Sequence, residues 1–222
     1  MGFLNKPKIT KPLLYYVGEI AIVTIGIFVA IQLNNLNENI KNSNEGKVSL
    51  RRIQADLQVE KYMIEAHKKQ LSNSTRYLHE VLYNDDFQNL DSILYHTVHY
   101  FTHYKMNAEY VNLKSSGKLH LISNDTLRYA LVRYYEGYYA IYDEISERQR
   151  KYVYDYVMTY YQAEFPSDTT SLVDPEFVKS KLEDTRFKNI VFDQFGNYRL
   201  TNNHLETTTI DELSEMIKSE IQ

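Results

Sequence analysis

The tyrosines are the first feature with chemical content. Eleven lie between Tyr129 and Tyr161, in a chain that has 21 in all and no tryptophan. A phenol joins a large apolar ring to one polar tip. It suits an aromatic core, a wet protein interface or a small-ligand pocket for a sugar or peptide. On a helix, Tyr134, Tyr135, Tyr138, Tyr139 and Tyr142 cannot all share one face. Some are therefore expected to be exposed or to meet another chain. His96, His99 and His103 come next. Offsets of three and seven residues place them near one face of a helix, and His99 with His103 has a spacing usable by zinc. No acid stands among them and no His-Glu-x-x-His motif occurs, so the expected reading is a polar face and no metal. Exposed, the three would respond to pH near neutrality.

Other chemistries find little support. With no cysteine there is no disulfide framework, thiol nucleophile or thiolate metal ligand. Phosphate-binding glycine loops and nucleophile elbows are missing. Asp85/Asp86 and Asp143/Glu144 read as turn and helix-surface acids, and Ser146–Lys151 as a solvated charged face. A net charge of −4 gives no reason to expect nucleic acid, and no cofactor is implied.

These residues must be positioned by helices. Only 7 Gly and 4 Pro in 222 residues argue for long helices over many short strands. Leu13–Leu33 is an apolar run with one charge, Glu19, and at ~1.5 Å per residue it spans roughly 30 Å, the thickness of a bilayer core. It is longer than a signal-peptide apolar region, and Phe28-Val29-Ala30 is a poor cleavage site, so an uncleaved anchor is expected. Lys6, Lys8 and Lys11 precede it without an acid, which puts residues 1–12 in the cytoplasm and Asn34–Gln222 outside. Tyr15 and Tyr16 fit the cytoplasmic interface. Gly18, Gly26 and Ala30 lie near one face, and Gly26-x-x-x-Ala30 permits close approach of a second helix. Glu19 either pairs within the membrane or reaches the headgroups.

Two blocks carry a resemblance. One is Tyr16-Val17-Gly18-Glu19-Ile20 with Ile25-Gly26-Ile27 and Ala30-Ile31-Gln32-Leu33-Asn34-Asn35-Leu36-Asn37-Glu38. The other is Tyr110-Val111-Asn112-Leu113-Lys114-Ser115-Ser116-Gly117 followed by Leu121-Ile122-Ser123-Asn124, running on into Tyr134-Tyr135. Together they resemble an uncharacterised family of bacterial membrane proteins frequent in Bacteroidota, the domain-of-unknown-function family numbered 6090. Leu36 departs from it, standing where the family usually has Trp. The resemblance implies a helical, single-pass inner-membrane protein and no activity.

Beyond the anchor, residues 34–46 are Asn-rich and read as a linker or an exposed helical stalk. Residues 47–222 are expected to form the extracytoplasmic domain. Leu50, Leu57, Ile64, Leu71 and Leu78 recur every seventh residue, which predicts a helix over 47–83. The companion row Ile53, Glu60, His67, Ser74 and Val81 is apolar only at its ends, so a bundle helix with one buried stripe fits better than a two-stranded coiled coil. Asn84-Asp85-Asp86 reads as a turn, 87–104 and 107–115 as helices, Gly117 as a helix stop and 118–122 as an extended connector. Leu127, Leu131, Tyr134, Tyr138, Ile141 and Ile145 predict a helix starting after Asn124 and ending before Pro166, with Tyr152, Tyr156 and Tyr160 on its stripe. Ser167–Ser171 is a polar loop, Asp174-Pro175 opens a short helix to Leu182, and one last helix runs from Phe187 to Ile217, with Gly196 as a weak point and Thr207–Thr209 as a place to bend.

The expectation is an all-α protein, with a single N-terminal transmembrane helix followed by an elongated antiparallel helical bundle. The function it suits is a non-enzymatic scaffold or accessory protein of the inner membrane, its bundle in the periplasm. The bundle would meet an envelope protein partner or a second copy. The alternative is a periplasmic ligand-binding or sensory domain with a Tyr-rich pocket. An enzyme would need buried titratable groups converging in a cleft.

Overall fold

The computed structural model describes residues 11–84, 90–165 and 174–222. Lys6, Lys8, most of the Asn84–Asp86 turn and the Ser167–Ser171 loop lie outside them. Among the described residues all regular structure is helical.

Helix α1 runs unbroken from Lys11 to Tyr83, 73 residues. Residues 34–46 are therefore helix, not a flexible linker. The apolar part of α1 from Tyr15 onward is long enough to cross a membrane, and none of it is buried against the rest of the chain. Gly46 is the first buried residue. Its missing side chain is required, because a Cβ there would overlap the carbonyl oxygen of Leu121.

From this point four rods stack side by side. The first is α1. The second comprises α2 (Leu90–Val98), an irregular stretch over 99–107 and α3 (Ala108–Ser115). The third holds α4 (Asp125–Val132), α5 (Tyr139–Tyr152) and α6 (Thr159–Glu164), joined through two π-turns at Arg133–Tyr138 and Val153–Met158. The fourth holds α7 (Pro175–Glu183), α8 (Thr185–His204) and α9 (Thr208–Ile221). Cross-links fix the directions. Ser74 meets His96 and Ser49 meets Glu109, so the second rod descends along α1. Glu60 meets Tyr134, and Thr97 meets Tyr161, so the third rod climbs back. Ser123 meets Glu220, so the fourth rod descends again. The bundle is antiparallel from each rod to the next.

Local rules explain the ends. Asn124 accepts the Leu127 N–H at 3.1 Å, and Asp174 the Glu176 N–H at 3.1 Å, as N-caps should. Gly117 takes φ of +70°, a left-handed conformation that costs other residues energy. After it, Lys118–Leu121 is a 3₁₀ turn and not extended, closed by Ile122 N–H on Leu119 O at 3.1 Å. This tight turn packs Ile122 into the core and sets Leu121 against Gly46.

The seventh-residue row Leu50, Leu57, Ile64, Leu71 and Leu78 is buried throughout. So are Ile53, Glu60, Ser74 and Val81 of the companion row, with His67 half-buried. Both rows face inward, because rods lie on two sides of α1. Two expected stripes are displaced. Tyr138 is half-buried and Ile141 exposed, while Tyr139 and Tyr142 take the core positions. A π-turn inserts one residue into the helical repeat, so every later side chain shifts face. The second π-turn does the same, burying Val153 and Val157 and leaving Tyr156 exposed. The expected last helix divides at 205–207, where Leu205 leaves helical geometry and a run of three threonines follows Glu206. Thr is a weak helix former, and the division lets both Leu205 and Ile210 point inward.

The glycines separate cleanly in a stability test. Gly46→Ala should cost about 1–3 kcal/mol through overpacking. Gly196→Ala, whose added Cβ meets open space within α8, should stabilise by roughly 0.5–1 kcal/mol. Thermal unfolding of the full chain in detergent, followed by circular dichroism, measures both.

Candidate functional site

Of the candidate interface tyrosines, Tyr138 is half-buried, while Tyr134, Tyr135, Tyr139 and Tyr142 are core residues of this chain. They are buried on the side of the third rod that faces α1. The physical reason lies on α1. Glu60 is 1% exposed, and a buried carboxylate needs donors. Tyr134 donates to its Oε1 at 2.8 Å and Tyr139 to its Oε2 at 2.6 Å. The π-turn at Arg133–Tyr138 aims both hydroxyls at one side chain.

His103 completes the cluster from the second rod. Its Nδ1 lies 2.9 Å from Asp143 Oδ1, and its Nε2 lies 3.8 Å from Glu60 Oε1. Nε2 is enclosed and has no hydrogen-bond partner. Lys105 reaches Asp143 Oδ2 at 2.6 Å. Glu60, His103, Asp143 and Lys105 thus form a row of acid, imidazole, acid and ammonium leading from core to surface. The Tyr139 ring stands perpendicular to the imidazole with centroids 4.5 Å apart, and its hydroxyl also accepts the Met106 N–H at 3.2 Å.

A second carboxylate lies one level toward the N-terminal end of α1. Glu109 of α3 is mostly buried, accepting from Ser49 at 2.6 Å and from Arg52 at 3.2 Å. Between the two levels, burial pushes Asp56 up, with the charges of Glu109 and Glu60 adding to it. The Tyr135 ring stacks on Tyr110 at 4.5 Å, yet its enclosed hydroxyl has no partner. It lies beneath an open groove lined by Lys105, Asn107, Lys114, Glu136 and Asp143.

The electrostatics follow from burial beside charge. Desolvation, then the Glu60 carboxylate, raises the phenols of Tyr134 and Tyr139 far above the ordinary tyrosine range. The same causes push Tyr142 up to about 12. For Asp143, burial alone would raise the carboxyl. Hydrogen bonds from Lys105 and His103 outweigh it and hold the group below its usual value.

The three histidines are not brought together. Helix α2 stops at Val98, so His99 and His103 lie on irregular backbone and do not share a helical face. The stop has a cause. Tyr198 sits 2.8 Å from the carbonyl of His96 and 2.7 Å from that of His99, and Gln149 accepts the Phe101 N–H at 2.8 Å. Buried side chains replace the helical hydrogen bonds, so the backbone can leave the helix at little cost. His96 bonds Ser74 at 2.9 Å, and burial pushes its pKa down. Among the described residues no group of three or more His, Asp or Glu is placed to hold a metal.

Glu60 was the residue to find. It sits in a core row of α1, where a charged side chain signals buried partners. Gly18, Glu19, Gly26 and Ala30 all lie on the exposed part of α1, which packs against no other element among the described residues.

Glu60→Leu should destabilise by about 3–5 kcal/mol, because the Tyr134 and Tyr139 hydroxyls stay buried and lose their acceptor. Tyr134→Phe or Tyr139→Phe should each cost roughly 1.5–3 kcal/mol, the range for a bond to a charged group. The pair should be non-additive in a double-mutant cycle, since both act on one carboxylate. Denaturant unfolding reads all of these. The raised phenols also set an alkaline limit. The unfolded chain ionises its tyrosines near pH ~10 and the folded core does not, so stability is full below that pH and falls above it. Phenolate absorbance of the core tyrosines should appear only with loss of helical signal.

No curated protein and no solved structure matches the chain. Apart from Tyr16, Val17 and Gly18, the two sequence blocks noted above fall within one matching region. The family model described as a family of unknown function, DUF6090, matches residues 19–196, and the chain belongs to that family.

Proposed function

We propose that the protein is a scaffold of the bacterial inner membrane. It acts through protein–protein contact, with residues 1–12 in the cytoplasm and the bundle in the periplasm. One observation carries this reading: α1 is at once the apolar span and the central rod of the bundle, without a joint. From Leu33 to Gly46 the helix rises about 20 Å. The bundle is therefore held at a set height and rotation, which suits presenting a surface and not searching for a ligand. The side chains offered are not the predicted tyrosines. Tyr154 is 54% exposed and Tyr156 is 60% exposed, and their neighbours Tyr100 and Tyr152 pack ring to ring against them. Exposed tyrosines flanked by Arg148 and Lys151 have the composition of protein interfaces. The ligand-binding or sensory alternative has its own observation, the unpartnered Tyr135 hydroxyl beneath the open groove.

The test is a change of joint. Three glycines inserted after Glu38 should leave the protein folded and membrane-bound. They should reduce several-fold the envelope partners captured by a photo-crosslinker placed at Tyr154. Undiminished capture would refute the reading.

A further inference from the structure

We infer that two copies of this chain pair in parallel along the stalk, through a stripe formed by Leu33, Leu36 and Ile40. The inference is independent of what the bundle binds. It takes the apolar part of α1 as the membrane span.

The stripe is visible in spacing and in exposure. Ile22, Gly26, Val29, Leu33, Leu36 and Ile40 follow one another at alternating intervals of four and three residues, the repeat of a coiled-coil seam. Within lipid, exposed apolar residues are ordinary. Leu36 and Ile40 lie beyond the apolar run, among six asparagines, and are 57% and 55% exposed. Apolar side chains at seam spacing in an otherwise polar segment call for a cover.

Among the described residues the chain does not supply it. The core-facing residues Leu50 and Ile53 lie about 90° around the helix from Leu36 and Ile40. The bundle thus stands to one side of the stripe, and the stripe ends as the bundle begins, with Ser43 and Lys47 next in the series. Asparagine is a weak helix former, and residues 34–41 are all exposed, the bundle reaching the stalk only near its end, where Lys118 pairs with Glu45. A second helix along the stripe accounts for the segment being helical at all.

The partner is identified by symmetry and charge. Helices leaving one membrane on the same side are parallel, and a second copy brings Leu33, Leu36 and Ile40 to the same height. The positions flanking the seam are Gln32, Asn37, Asn39 and Asn44, all neutral, so no like charges oppose each other. Glu38 and Lys41 point away from the seam. Gly26 lies on the same stripe inside the membrane, with Ala30 beside it, where small residues let two helices approach closely.

The chain contains no cysteine, so each introduced thiol reports alone. Leu36→Cys, Ile40→Cys, Asn35→Cys and Glu38→Cys are made singly in the full chain, in membranes, and oxidised. The substitutions fall on exposed positions and leave the bundle core untouched. Two differently tagged copies are co-expressed to identify the partner. The expected result is a disulfide-linked species of two 26.3 kDa chains carrying both tags. It should form at Leu36 and Ile40 at least five-fold more than at Asn35 and Glu38. Monomer at all four positions overturns the inference. Equal yield at all four, which marks random collision, also overturns it, as does a cross-linked species lacking the second tag. Capture from Tyr154 can persist or fail in either case, so the two readings are tested separately.

Discussion

A carboxylate held inside a helical core must be met by hydrogen-bond donors from whatever packs against it, and Glu60 imposes this on the whole bundle. Its acceptors are filled by Tyr134 and Tyr139 from the third rod, and His103 from the second approaches its remaining side. Three rods are thereby held at one height. An all-apolar layer could slide by a residue and lose little, whereas a slipped Glu60 would strand a charge. Buried ionic groups are often neutral for stability against a well-packed apolar substitute, and their best-attested role is to specify register. The row of acid, imidazole, acid and ammonium from Glu60 to Lys105 is consistent with that role.

The second rod shows the same logic applied to backbone. Residues 99–107 cross the core without helical hydrogen bonds. Tyr198, Gln149 and Tyr139 fill that gap by bonding the peptide groups of His99, Phe101 and Met106. Buried polar side chains and irregular backbone depend on each other here. Neither would be tolerable alone in a core otherwise built from leucine, isoleucine and aromatic rings.

Much of the architecture was legible. The apolar span, the seventh-residue row from Leu50 to Leu78, the Asn124 and Asp174 caps and the stop at Gly117 each rest on a local rule, and the structure obeys it. What was not legible depends on contacts distant in sequence. No local signal announces that Tyr198, about a hundred residues away, will hold the His99 carbonyl and end α2. The π-turns are equally silent, because tyrosine runs such as Tyr134-Tyr135 and Tyr138-Tyr139 fit either of two registers. Glu60, Ser74 and His67 were discounted as core because they are polar. The heptad row that contains them was the better guide, and a polar residue in such a row points to a specific partner.

The unbroken course of α1 has a mechanical consequence. From Leu33 to Tyr83 the helix is a lever about 75 Å long. A tilt of the apolar segment by about 10° would sweep its far end through roughly 13 Å. Rotation about the helix axis would be transmitted in full, since the Gly46–Leu121 contact leaves no slack where stalk meets bundle. Were the apolar segment to cross a bilayer, small changes in its tilt or packing would be magnified at the distal tip.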